Sequence, residues 1–273
     1  MTAIAVIPPK SRTPWGWILL AAALALVALG FLTGVLPAEK WQPFLLPTSW
    51  RAFGLGLLST FFIGSVALVS SMIVSLPLAL GRLSLANPWR TVVTLWIEGV
   101  RATPVLVILF VVFFGLRRLG VDFRVVQIYA IIGLTIYTSA VLAEIIRAGV
   151  ASIPRGEVEA GRSLGLNYWQ TMRHVVLPQA YARMTPAIVS QLITLIKDTS
   201  LAFIIATPEV VRVGRSFFNF YGNPVETYLV LLLIFFAINY PLSRLSRRLE
   251  AKQPREERVR VGGEVDQVPA EER

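Results

Sequence analysis

The chain has 273 residues, of which 55% are hydrophobic and only 15% charged, a balance that excludes an ordinary soluble domain and makes lipid the solvent of the fold. It has no cysteine and a single histidine, His174, so disulfides and thiolate metal sites are excluded and no metal site is expected. The formal charge of +10 would suit nucleic acid, but its placement along the chain fits membrane orientation better.

In chain order, no charge occurs between Arg12 and Glu39, or between Arg51 and Arg82. Both stretches exceed the roughly 20 residues that cross a bilayer. The first reads as an uncleaved anchor, because its apolar stretch outruns a signal peptide core and no small-residue cleavage site closes it. A third span is expected from about Arg90 to Leu116, interrupted by Glu98 and Arg101 and kinked at Pro104, which removes an intrahelical hydrogen bond. Uncharged runs of 19 residues between Arg124 and Glu144, and of 17 between Glu226 and Arg244, give two more spans. A segment from about Thr185 to Ala206, carrying Lys197 and Asp198, supplies another. The expectation is an all-α membrane protein with six transmembrane helices. Its divisions are residues 1–50 (N-terminal tail, anchor and external loop), 51–250 (transmembrane domain) and 251–273 (a polar tail expected to be disordered). Trp15, Trp17, Trp41 and Trp50 sit at span ends, where interfacial anchoring accounts for them.

With six spans the two termini share a side. That side holds 17 of the 26 Lys and Arg residues, against 7 on the other, so the positive-inside rule places both termini and the loop 147–183 in the cytoplasm. Arg117, Arg118 and Arg124 run against that rule.

The loop from Ser152 to Ala180 reads as two short helices around a glycine. Pro154 suits a first helical turn, Glu157 and Glu159 lie near its positive dipole end, and Gly165 is a natural left-handed stop. Asn167 with Gln170 resembles a capping box opening the second helix, which is expected to end at Leu177 before Pro178. Gly161, Ser163 and Gly165 also match the G-x-S-x-G pattern of serine hydrolases, but that motif needs a preceding strand, and only His174 is present as a base.

Charge inside a membrane is costly and faces an interior, a cavity or a partner, so Arg101, Glu144, Lys197 and Asp198 are functional candidates. Counting from Arg90 and Arg183 puts Arg101 and Lys197 near mid-membrane, placed to receive a substrate carboxylate. Glu98, Glu144 and Asp198 are equally available for structural pairing, so both readings stand. The four lysines follow Pro, Glu, Ile and Ala, so no Gly-Lys phosphate loop exists and no ATP cofactor is expected on this chain.

As it stands, Glu159-Ala160-Gly161, then Gly165, then Val175, Leu177 and Pro178, resembles the EAA loop of permease subunits in bacterial ABC importers. Glycine at 161 and valine at 175 replace that pattern's usual alanine and frequent isoleucine. Glu98 to Pro104, with Arg101, Thr103 and Pro104, resembles the E-x-x-R-G-T-P stretch of the polar amino acid branch, Ala102 standing for the glycine. Ala143 to Arg147, Lys197 to Leu201 and Glu226 to Tyr228 are similar to stretches of the same branch, so the likeness runs from about residue 52 onward.

The resemblance implies a type I ABC importer permease core of five helices plus an N-terminal anchor, in the bacterial cytoplasmic membrane. It implies that the elbow docks into separate ATPase subunits, which bind the ATP. The other implied partners are a second permease chain, like or identical to this one, and an extracytoplasmic solute-binding protein facing the loop 207–226. The chain would be no enzyme itself, and its cargo would be a polar amino acid of the glutamate, aspartate or glutamine type, with Arg101 and Lys197 favouring an acidic one such as glutamate. The rival is a self-contained secondary transporter or channel, in which an EAA-like loop has no role.

Overall fold

A computed structural model describes residues 15–83 and 88–251; the expected tail beyond residue 251 and the first 14 residues lie outside that range. Every regular element among the described residues is helical. α1 (Trp15–Leu32) is an 18-residue apolar helix, about 27 Å long at 1.5 Å per residue. It ends at Gly34, whose φ of +74° lets Leu36 N–H return to the Gly30 carbonyl at 2.9 Å. A short 3-10 segment (Ala38–Leu45) leads into α2 (Pro47–Leu83).

α3 (Trp89–Ala102) and α4 (Val105–Arg118) follow, then α5 (Gln127–Ala151). The single kinked span expected over 90–116 is corrected here. The two helices meet at 106° across the break, far more than a kink. Thr103 is extended (φ −90°, ψ 132°), as the residue before a proline prefers, and Pro104 instead opens α4 by accepting Val107 N–H through its carbonyl at 2.9 Å. The proline therefore ends one helix and starts another.

Four helical stretches among the described residues are long and apolar enough to cross a membrane: 47–83, 127–151, 168–205 and 224–251. The bent α3–α4 pair raises the number to five if it counts as one span. Counted that way the helices match a five-helix core, with α1 preceding it. α5 is its centre and touches α2, α3, α4 and α8 (Leu177–Asp198). Tyr129, Ala130, Leu134, Ala140 and Ala143 on α5 are fully buried. Small residues permit the close approach: a Cβ on Gly133 would stand 2.8 Å from Leu109 Cδ2. Between membrane helices such packing replaces the hydrophobic drive that water supplies elsewhere.

Candidate functional site: the elbow and the charged network

α6 (Arg155–Ser163) forms the first arm of the elbow and stops where the sequence predicts. Gly165 has φ +84°, a left-handed conformation that costs a residue with a Cβ roughly 1–2 kcal/mol. Its turn lets Leu166 N–H reach the Gly161 carbonyl at 3.2 Å, the long bond of a Schellman stop. The capping box is complete: Gln170 N–H donates to Asn167 Oδ1 and Asn167 N–H donates to Gln170 Oε1, each at 2.9 Å.

The second arm departs from expectation. α7 (Tyr168–Thr171) does not end at Leu177 but passes through a π turn at Met172–Val176 into α8. Pro178 explains the π turn. It has no N–H for the carbonyl four residues back, and its ring crowds that carbonyl, so the helix widens by one residue and continues. The elbow is thereby fused to one helical stretch running from Tyr168 to Ile205, 38 residues in all.

Glu159, Ala160, Gly165, Leu177 and Pro178 are exposed, whereas Gly161 is buried where α6 crosses the π turn. A Cβ at Gly161 would lie 3.1 Å from Thr171 Cγ2, so the glycine gives α6 its close seat. Ile153, Val176, Ala180 and Met184 form a small core beneath the arms. Three large apolar side chains stay outside it: Leu164 is 83% exposed, Trp169 73% and Tyr168 56%. An apolar patch on a polar protrusion marks a contact surface. Sequence reading passed over these three, although aromatic residues in an otherwise charged loop were the available signal. Ser163 Oγ donates to the Glu159 carbonyl at 2.9 Å, and it follows helix α6 with no strand among the described residues, so the hydrolase pattern is a coincidence of spacing.

The membrane charges sort into two groups. Arg82 at the end of α2 reaches Glu98 Oε1 through Nη2 and Glu144 Oε2 through Nη1, both at 2.7 Å. Arg147 Nη2 holds Glu144 Oε1 at 2.7 Å, and Arg101 Nη1 stands 3.7 Å from Glu98 Oε2. Through Glu98, Arg101 thus joins the network at the end of α2, one residue before α3 stops at Ala102 and two before Thr103 and Pro104 break the chain's helical course. Thr103 Oγ1 donates to the Gly99 carbonyl at 2.8 Å, closing that helix end. Lys197 and Asp198, at the end of α8, are outside this network and form no ion pair with any described residue. Among the described residues no cluster of His, Cys, Asp or Glu fits a metal.

Residues 71–253 match the family described as the binding-protein-dependent transport system inner membrane component. The chain belongs to this family. It is 40% identical over 203 residues, 72% of its own length and 92% of the relative's, to a probable glutamine ABC transporter permease protein, GlnP, of Bacillus subtilis. It is 34% identical over 220 residues, covering 80% of this chain and 81% of the relative, to the glutamate transport system permease protein GluD of Corynebacterium glutamicum. Among solved structures, one chain of an amino acid ABC transporter crystallised with histidines superposes with a TM-score of 0.70 at 29% identity, over 74% of this chain and 94% of that one. The protein is thus a membrane component of an ABC transport system and not itself an enzyme.

Proposed function

We propose that this chain is the permease subunit of an ATP-driven importer for polar amino acids, of the glutamate, aspartate or glutamine kind, with the 152–180 elbow as its coupling surface. The observation that carries the reading is the elbow itself: a glycine-stopped arm, an exposed apolar patch and direct fusion to a helix long enough to span the bilayer. Displacing such an elbow carries α8 with it, since the helical course is unbroken from Tyr168 to Ile205. A push delivered by the ATPase at one end reaches Lys197 and Asp198 near the other. Glu159, Ala160, Gly161, Gly165, Leu177 and Pro178 form that coupling surface. Arg101, Thr103, Pro104, Glu144, Lys197 and Asp198 belong to the substrate pathway.

The same reading places both termini and the elbow in the cytoplasm and assigns α1 as a sixth, anchoring span before the 51–250 transport domain. A second permease chain completes the pathway. A solute-binding protein delivers cargo to the face that carries 207–226, while ATP binds the separate ATPase subunits.

The test replaces Gly165. Valine there incurs roughly 1–2 kcal/mol of left-handed strain or straightens the elbow, and that energy shifts a two-state equilibrium by about five- to thirtyfold. Gly165→Val, and less severely Glu159→Ala, is expected to leave a stable membrane protein that loses substrate-stimulated ATP hydrolysis or sheds its ATPase on purification. Normal ATPase retention with normal uptake in Gly165→Val would sink the reading.

A further inference from the structure

A cleft of about 490 Å³ opens at the cytoplasmic end of α2, between the start of α3 and the end of α5. Arg82, Arg90, Arg147, Thr91, Thr94 and Leu95 line it. Three guanidiniums and two hydroxyls offer donors of the kind an oxyanion takes, and no carboxylate is among the described lining residues.

Charge counting says what the cleft lacks. Arg82, Arg90, Arg101 and Arg147 face only Glu98 and Glu144 in and around the network, an excess of two positive charges beside the membrane. Arg90 is exposed and makes no hydrogen bond or ion pair with any described residue. Arg82 Nη1 is buried and, although 2.7 Å from Glu144 Oε2, is misdirected for a hydrogen bond and has no other partner. The first turn of α3 adds the positive end of a 14-residue helix. A group with one or two negative charges and several acceptor oxygens would satisfy all of these at once.

The flank of the cleft selects the source. Trp89 is 70% exposed and Leu95 68%, with Val92 and Trp96 also exposed along α3. Tryptophan and arginine together at the cytoplasmic end of an apolar stripe are the arrangement that meets headgroups below and acyl chains above. The elbow is rooted on α5 and α8, through Ile145, Val150 and Met184, and does not fill the cleft. We propose that this cleft binds the phosphate of an anionic phospholipid of the cytoplasmic leaflet, tying the α2–α3 corner and the end of α5 to the lipid surface.

The chain, extracted together with its ATPase from vesicles of equal phosphatidylglycerol and phosphatidylcholine, is examined by native mass spectrometry. Phosphatidylglycerol is expected to be retained over phosphatidylcholine, and Arg90→Gln to lower that retention about fivefold, the value of one interfacial charge. Thr94→Asp, which places a carboxylate in the cleft, is expected to abolish it. Arg248→Gln, an equal charge loss on the exposed end of α10 (Pro224–Ala251), is the control expected to change nothing. Equal retention of both lipids, or equal losses from Arg90→Gln and Arg248→Gln, overturns the proposal. Inorganic phosphate that raises the melting temperature of the delipidated complex through Arg90, without any lipid preference, makes this a free-anion site and overturns the lipid source. Retention that appears only once the ATPase is stripped gives the cleft to an acidic side chain of that subunit, with the same consequence.

Discussion

At the elbow the chain leaves Leu164, Tyr168 and Trp169 exposed, whereas at the other end of the helices it buries Phe44, Phe53 and Phe217 against one another. The two ends use similar parts. Each has a short helix stopped by a left-handed glycine, Gly165 at φ +84° and Gly222 at φ +64°, and each carries several aromatic rings. The cap closes its central rings on itself, with Phe220 and Leu45 left outside at 82% exposed each: α9 (Val210–Tyr221) lays Val210, Gly214 and Phe217 against α2 and α10, and Asn223 Nδ2 donates to the Lys40 carbonyl at 3.0 Å. The elbow closes only its underside. A region that spends its apolar side chains internally is a lid or a brace, and one that leaves them out awaits a partner.

The largest expected effect tests the closed half of that contrast. Phe217 is 8% exposed, with ring centroids 4.8 Å from Phe44, 5.3 Å from Phe53 and 4.7 Å from Tyr221. Phe217→Ala is expected to remove about 3–5 kcal/mol of local stability, read as faster amide exchange over residues 38–50 and 210–221. Faster exchange in the elbow as well would mean that the two ends are one cooperative unit.

The root of the elbow comes next. A Cβ on Gly149 of α5 would stand 2.1 Å from Met184 Cγ and 2.6 Å from its sulfur, so Gly149→Val is expected to cost about 1–3 kcal/mol by overpacking. Met184→Ala in the same chain is expected to return part of the loss, as measured by thermal unfolding in detergent. No rescue would show that the backbones, rather than the methionine, set the spacing of α5 and α8.

Valine at either left-handed glycine costs a similar strain, roughly 1–2 kcal/mol. A Cβ at Gly165 meets nothing within 4 Å, and one at Gly222 meets only Lys40 Nζ at 3.4 Å. The structural damage is therefore matched and the functional damage is not. Gly222→Val is expected to loosen the cap while the ATPase stays bound and substrate-stimulated. If both variants lose the ATPase equally, the elbow is not the special surface.

Most of this contrast was legible beforehand at the elbow and little of it at the cap. Pro154, Gly165, Asn167 and Gln170 are local punctuation, each acting on neighbours within four residues, so their spacing fixed the α6 stop and the capping box. Phe44 and Phe217 meet across more than 170 positions, and nothing in either neighbourhood announces the other. The break at Pro104 was half legible: proline demands an interruption, but the 106° turn depends on what α3 and α4 pack against. The same holds for Arg101, whose pairing with Glu98 beside Arg82 depends on how α3 packs against α2. Pro178 was read as a stop because the proline alone does not say whether the helix ends or widens into a π turn and goes on; the packing beneath Val176 and Ala180, which holds the continued helix, comes from distant α5.

The smallest expected effect is a pH dependence confined to the cap. Glu209 caps α9 and accepts Val211 N–H at 2.8 Å and Arg212 N–H at 2.6 Å, bonds that favour the carboxylate. Its burial is complete and outweighs them, pushing the carboxyl up to about 7 from its ordinary 4.5. The folded cap therefore holds a proton that the unfolded chain releases between about pH 4.5 and 7. Stability is greatest below that window, falls as pH rises through it and is flat above. Glu209→Gln keeps an acceptor oxygen for the helix N-terminus but removes the titration. Exchange over 210–221, corrected for its intrinsic rate, is thus expected to quicken from pH 5.5 to 8 in the parent chain and to stay level in the variant. Parallel slopes in the two proteins would assign the pH response to some other group and leave Glu209 as a plain helix cap.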